Sequence, residues 1–85
     1  MPDTAALIKY LDHTKRYHSV ITVPFKEIEE IINEPLPFAA RTDARWWTND
    51  IHKAHECAQA WLEAGWRVDN VNFRNEFVTF ETSEE

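Results

Sequence analysis

The sequence is poor in the residues that mark several large functional classes. It holds one glycine, Gly65, in 85 residues. No glycine-rich loop can therefore bring backbone amides against a phosphate, which excludes the P-loop and dinucleotide-binding fingerprints. It holds one cysteine, Cys57, which excludes an internal disulfide and suits a reducing compartment. No apolar run exceeds four residues, against the ~20 needed for a membrane-spanning helix. The N-terminal residues lack the basic-then-apolar order of a secretory signal, so the expectation is a cytoplasmic protein with no membrane association. Cations are also scarce. Nine Lys and Arg against fifteen Asp and Glu leave a net charge of -6, opposite in sign to the usual footprint of a nucleic-acid binder.

Aromatic residues are plentiful: four Trp, five Phe and two Tyr. Each can bury about 150–250 Å², so one tight core is within reach of a chain this short. The expected organisation is a single domain over residues 1–85, with its core at about 5–81 and an acidic tail at 82–85.

The apolar spacing predicts an α+β fold with about three helices and a three-stranded antiparallel sheet. Asp3 or Thr4 caps a first helix whose Leu7, Ile8 and Leu11 share a face, ending near His13. Ser19 to Val23 is β-branched and reads as a strand. Pro24 and Phe25 open a second helix, with Phe25, Ile28, Ile31 and Ile32 on one stripe and Glu27, Glu29 and Glu30 opposite. Pro35 and Pro37 stop it, and Phe38 to Arg41 has room for one further turn. Ala54, Ala58, Trp61 and Leu62 place a third helix, with Asn49 or Asp50 as its cap and Gly65 at its C-terminus. Trp66–Phe73 and Phe77–Glu81 read as a C-terminal hairpin turning at Arg74-Asn75-Glu76, with a bulge near Asp69-Asn70 where the apolar parity changes. This order also fits a winged-helix-like arrangement, with the third helix as reader and the hairpin as wing.

No catalytic or metal centre is expected. His52, His55 and Cys57 are close in sequence, but Cys57 leaves the face that His52 and His55 can share, and no second ligand pair stands at finger-like spacing. Cys57 beside Ala58 and Ala60 reads as helix packing rather than as a nucleophile. No cofactor is implied. Trp46-Trp47-Thr48-Asn49 is more informative, because adjacent tryptophans on an extended segment point to opposite sides. One belongs to the core, and the other is a candidate contact surface.

The elements Phe25-x-Glu27-Ile28-Glu29-x-Ile31-Ile32, Leu36-Pro37-x-x-Ala40-Arg41, Trp46-Trp47-x-Asn49, Ala60-Trp61-x-x-Ala64-Gly65-Trp66-x-Val68 and Val78-x-Phe80 resemble a small bacterial domain family of unknown function. The resemblance runs over about Val20 to Phe80 and implies a short single-domain protein. After Phe80 the chain departs from the pattern: such domains look basic there, whereas this one is acidic.

Two functions follow as expectations. The first is a non-enzymatic acidic module that binds a basic protein or nucleoprotein complex, in the manner of phage-encoded, anti-CRISPR-like inhibitors of bacterial defence systems. Its contacts are Glu27, Glu29, Glu30 and Glu34, with Trp46 or Trp47 as apolar anchor. The second is a nucleic-acid binder using Arg41, Arg45, Lys53, Arg67 and Arg74.

Overall fold

The computed structural model describes residues 2–82; the acidic end at Ser83-Glu84-Glu85 lies outside the described residues. Asp3 begins the first helix, α1 (Thr4–Thr14), by accepting the Ala6 N–H at 3.0 Å, which satisfies one of the donors a helix start leaves unpaired. Leu7 and Leu11 point into the core. Strand β1 (Val20–Pro24) runs directly into α2 (Phe25–Ile32). Proline at this junction has no N–H to lose, and the first helical N–H, that of Phe25, is taken by the carbonyl of Glu76 at 2.8 Å. Asn33, left-handed at φ 61°, ends α2, a conformation that asparagine tolerates better than most residues.

The chain then makes a short helix α3 (Phe38–Thr42) and two 3-10 turns, Ala44–Trp46 and Ile51–Lys53, before α4 (Glu56–Glu63). Helix α4 starts later than its apolar spacing suggests. Its cap is His55, whose Nδ1 accepts the Ala58 N–H at 3.2 Å, while Asp50 caps the preceding 3-10 turn. Gly65 follows at φ +85°, a conformation open to glycine at little cost. The Lys15 side chain lies where a Cβ on residue 65 would be.

Strands β2 (Trp66–Asn72) and β3 (Phe77–Thr82) form the hairpin, with Glu76 left-handed in its turn at φ 59°. The sheet order is β1-β3-β2, antiparallel throughout. The β2–β3 register shifts between Val68 and Asn70, at the site of the parity change. Ile21, Phe80 and Val68 stand opposite one another, as do Val23, Val78 and Val71, and these rows face the helices. Phe25, Ile28, Ile32, Trp47, Trp61, Trp66, Val78 and Phe80 are buried in one core. Leu62, on the apolar ladder that places this helix, is only partly buried. Among the described residues no helix is long and apolar enough to cross a membrane.

Candidate functional site

The segment between α3 and α4 holds the least ordinary chemistry of the molecule. Asp43 accepts the Arg45 N–H at 2.9 Å and starts the 3-10 turn. Because that turn is not extended, Trp46 and Trp47 do not point to opposite sides; their rings meet edge-on at 4.7 Å. Trp47 is buried and stacks on Phe25 at 5.2 Å and on Trp61 at 5.6 Å, and its indole N–H donates to the Ala40 carbonyl at 2.8 Å. It is therefore a core residue, which removes it as an exposed anchor. Trp46 is half-buried and stacks on the His55 ring at 4.1 Å. The indoles of Trp47, Trp61 and Trp66 all donate to backbone carbonyls, of Ala40, Thr48 and Leu11.

Histidine 55 is committed at both nitrogens: Nδ1 to the α4 cap, and Nε2 to the Trp46 carbonyl at 2.7 Å. With Nδ1 accepting, Nε2 is the nitrogen that carries the proton. Neither nitrogen is left for a ligand or a reacting proton. Cys57 is buried, and burial together with the nearby Glu34 and Glu56 carboxylates pushes its thiol up to about 11, the opposite of an activated nucleophile. No group of three His, Cys, Asp or Glu among the described residues converges on a metal-sized site.

Asn49 does not cap a helix. Its Oδ1 accepts the Val68 N–H at 2.7 Å and its Nδ2 donates to the Val68 carbonyl at 2.9 Å. One side-chain amide thus satisfies both backbone groups of a residue on the outer side of β2, as a neighbouring strand would.

The carboxylates proposed for partner contact divide. Glu27 accepts the Tyr10 hydroxyl at 2.9 Å, and burial with that carboxylate raises the Tyr10 phenol above its usual value. Glu29 Oε2 accepts the Leu36 N–H at 2.7 Å and pairs with Arg41 at 2.6 Å. The backbone donor and then the guanidinium hold Glu29 below the usual carboxylate range. Glu30 is exposed and Glu34 half-buried. Of the cationic candidates, Arg41 bridges Glu29 and Glu76, with Nη1 to Glu76 at 2.8 Å, and lies over Phe25. It clasps α2, α3 and the hairpin turn together. Arg45 pairs with Asp43, and Arg67 stands 3.7 Å from Glu81. Lys53 and Arg74 are exposed and lie on different elements.

A helix-turn-helix joins its two helices by about three to four residues, whereas residues 33–55 separate α2 from α4 here. The element in the reader position exposes Glu56, Gln59 and Glu63 and carries neither Lys nor Arg. A cleft of about 170 Å³ opens between this loop and the helices, with Pro2, Ile32, Pro37 and Trp46 as apolar walls and Glu34 and Glu56 as acidic ones. Sequence reasoning placed Trp46 and Glu34 among the contact residues, weighed His55 only as a metal ligand and Asn49 only as a helix cap, and did not single out Glu56; the bonds of His55 to Trp46 and of Asn49 to Val68 join residues that local spacing does not relate.

These features define a class, a small α+β domain whose tryptophan loop serves at once as core, helix cap and strand cover. The chain belongs to the family described as Domain of unknown function (DUF7662), whose model matches residues 5–83. No curated protein and no solved structure matches it.

Proposed function

We propose that this domain is a non-enzymatic protein-binding module that docks a basic segment of a partner, as an inhibitor or regulator of a nucleic-acid-handling complex in the cytoplasm. The observation that carries the reading is the cleft beside Trp46, where a half-buried indole and two prolines adjoin the Glu34 and Glu56 carboxylates. A lysine or arginine side chain needs both surfaces: an apolar wall for its stem, and an aromatic face or carboxylate for its cationic head. Glu30 and Glu63, exposed on α2 and α4, extend the negative field and would steer a basic partner. Glu27 and Glu29, engaged inside the molecule, drop out of the contact set.

The nucleic-acid reading has less support. Arg41, Arg45 and Arg67 each face a carboxylate of this chain, and the net charge of -6 opposes a polyanion. The deciding experiment titrates the protein with a Lys/Arg-rich peptide, a DNA duplex and a single-stranded RNA. The expected result is peptide binding that weakens as salt rises and is lost in a Glu56→Lys, Glu63→Lys variant, with no nucleic acid bound at about 0.15 M salt. A nucleic-acid complex abolished by Arg45→Ala with Lys53→Ala would replace this reading with the other.

A further inference from the structure

We infer that His55 is a pH-sensitive latch on the cleft beside Trp46: a second proton on its ring uncaps α4, turns the imidazolium toward the cleft carboxylates and shuts out a basic side chain. The latch is a property of the free protein; only the identity of what it shuts out rests on the function proposed above. His55 Nδ1 accepts the Ala58 N–H at 3.2 Å, and Nε2 meets the Trp46 carbonyl at 2.7 Å. A neutral imidazole accepts only through the nitrogen without a proton, and an imidazolium has no acceptor at all. A proton added to this ring therefore lands on Nδ1, against the Ala58 N–H, and two donors then face each other. Nε2 donates before and after, so the bond to Trp46 does not oppose the change.

The capped arrangement cannot absorb that proton in place. Ala58 is 0% exposed, so water does not take over as acceptor where the ring now sits, and a buried donor without a partner is costly. The positive end of the α4 backbone dipole also repels a cation held at the cap. Asn, Ser and Thr, the usual residues at such a position, keep their acceptor oxygen at neutral and mildly acid pH. Histidine is the cap whose acceptor disappears between about pH 5 and 8.

The surroundings offer the displaced ring a second position. Glu34 and Glu56 line the cleft together with His55, and hydrogen bonds from an imidazolium to a carboxylate are strong. The remaining neighbours carry no charge: the Cys57 thiol is buried and protonated at neutral pH, and the Trp46 and Trp61 rings lie 4.1 and 5.9 Å from the imidazole. Asp3 caps α1, Asp50 caps the 3-10 turn that carries His52 and Lys53, and Arg45 pairs with Asp43; none of these lines the cleft. The carboxylates that draw the imidazolium are the ones a basic side chain of the partner needs, so ring and ligand compete for one position. Moving the ring also takes the stacked partner from Trp46, the aromatic wall of the cleft.

The test follows the full chain by NMR from about pH 8 to about pH 5. The His55 ring, the Ala58 amide and the Trp46 indole should shift together in one step, and the protection factor of the Ala58 amide should fall about ten-fold across it. His55→Asn keeps a capping acceptor and holds no titrating proton, so it should retain the protection and lose the step, while the exposed His13, His18 and His52 still titrate. A Lys/Arg-rich peptide without histidine, at constant salt, should bind the wild type about ten-fold more weakly at about pH 5.5 than at about pH 7.5, and the variant equally at both. An Ala58 amide that keeps its protection while His55 titrates, or the same step in His55→Asn, would overturn the latch. Equal wild-type affinity at the two pH values would overturn its control of the cleft. A peptide bound at neither pH refutes the proposed function instead, and the Ala58 amide then decides the latch on its own.

Discussion

The two outer strands of the sheet meet their surroundings in opposite ways. On β2, the outward N–H and C=O of Val68 are both held by the Asn49 side chain, and the loop that carries Asn49 is anchored by Trp47 in the core. On β1, Thr82 donates to the Ser19 carbonyl and Phe25 to the Glu76 carbonyl; bonded and non-bonded pairs alternate in an antiparallel ladder, so the N–H and C=O groups of Val20 and Thr22 point away from β3 and face an open groove. An uncovered edge is a template for pairing with another chain; the Asn49 amide blocks such pairing at Val68, whereas no side chain among the described residues meets the outward groups of Val20 and Thr22. The comparison also gives the tryptophan loop a structural meaning, because the loop whose Trp47 completes the core also covers β2 at Val68 through Asn49.

The change that breaks the comparison most severely is Trp47→Ala. It removes a ring stacked between Phe25 and Trp61 and leaves the Ala40 carbonyl without its buried donor. A cost of about 3–5 kcal/mol is expected, comparable with the ~5 kcal/mol total stability of a marginal domain. Urea denaturation measures it. Trp46→Ala, at a half-buried position, should cost markedly less in the same assay, and equal losses would mean that the two rings are not divided between core and surface as described.

Asn49→Ala acts on the covered edge alone. Both Val68 backbone groups lose their partner, but the site is exposed enough for water to replace part of the bonding. About 1 kcal/mol is therefore expected, the low end of the range for an orphaned polar group. The sharper readout is local: the Val68 amide should exchange faster while the Ile21 and Val23 amides keep their protection.

The loop illustrates what a local reading of sequence can and cannot see. The α2 stripe, the left-handed role of Gly65 and the parity break at Asp69-Asn70 are set by neighbours in the chain, and each stands in the structure as periodicity implies. Asn49 reads locally as a helix cap, yet its partner Val68 is nineteen residues on. His55 caps α4 although histidine is not among the favoured capping residues. The two Trp diverge from the extended-strand expectation because Asp43 folds the chain into a 3-10 turn. Glu29 lies opposite the apolar stripe and so reads as a surface charge, but the reversal at Pro35 to Pro37 brings the Leu36 N–H and Arg41 onto it.

Glu29 connects the loop to the hairpin through Arg41 and Glu76, and its effect is read through pH. A carboxyl whose folded pKa is lowered contributes stability that is present above its unfolded pKa and lost as pH falls through the folded one. Wild-type stability should therefore fall as pH drops below about 4. Glu29→Gln should lower stability at neutral pH by about 1 kcal/mol, since the pair is partly exposed, and should flatten the acid limb. An unchanged acid limb in the variant would show that Glu29 does not supply this dependence.

The smallest effect is expected at the open edge. In a sheet interior proline removes a ladder hydrogen bond, but at an edge whose N–H faces outward there is none to remove. Thr22 meets that condition: its amide points into the groove, and its remaining tie is an exposed hydroxyl contact with Thr79 at 3.1 Å. Ile21, the residue before it, lies in extended backbone, which suits a following proline. Thr22→Pro should therefore change unfolding free energy by no more than about 0.5 kcal/mol, the range of ordinary surface substitutions. Val68→Pro supplies the contrast, since it deletes the donor that Asn49 accepts and should cost at least as much as Asn49→Ala. If both prolines prove equally costly in the same denaturation series, the Thr22 N–H has a partner and the β1 edge is not open. If both are equally harmless, the Asn49 amide does not hold β2, and the asymmetry between the edges disappears.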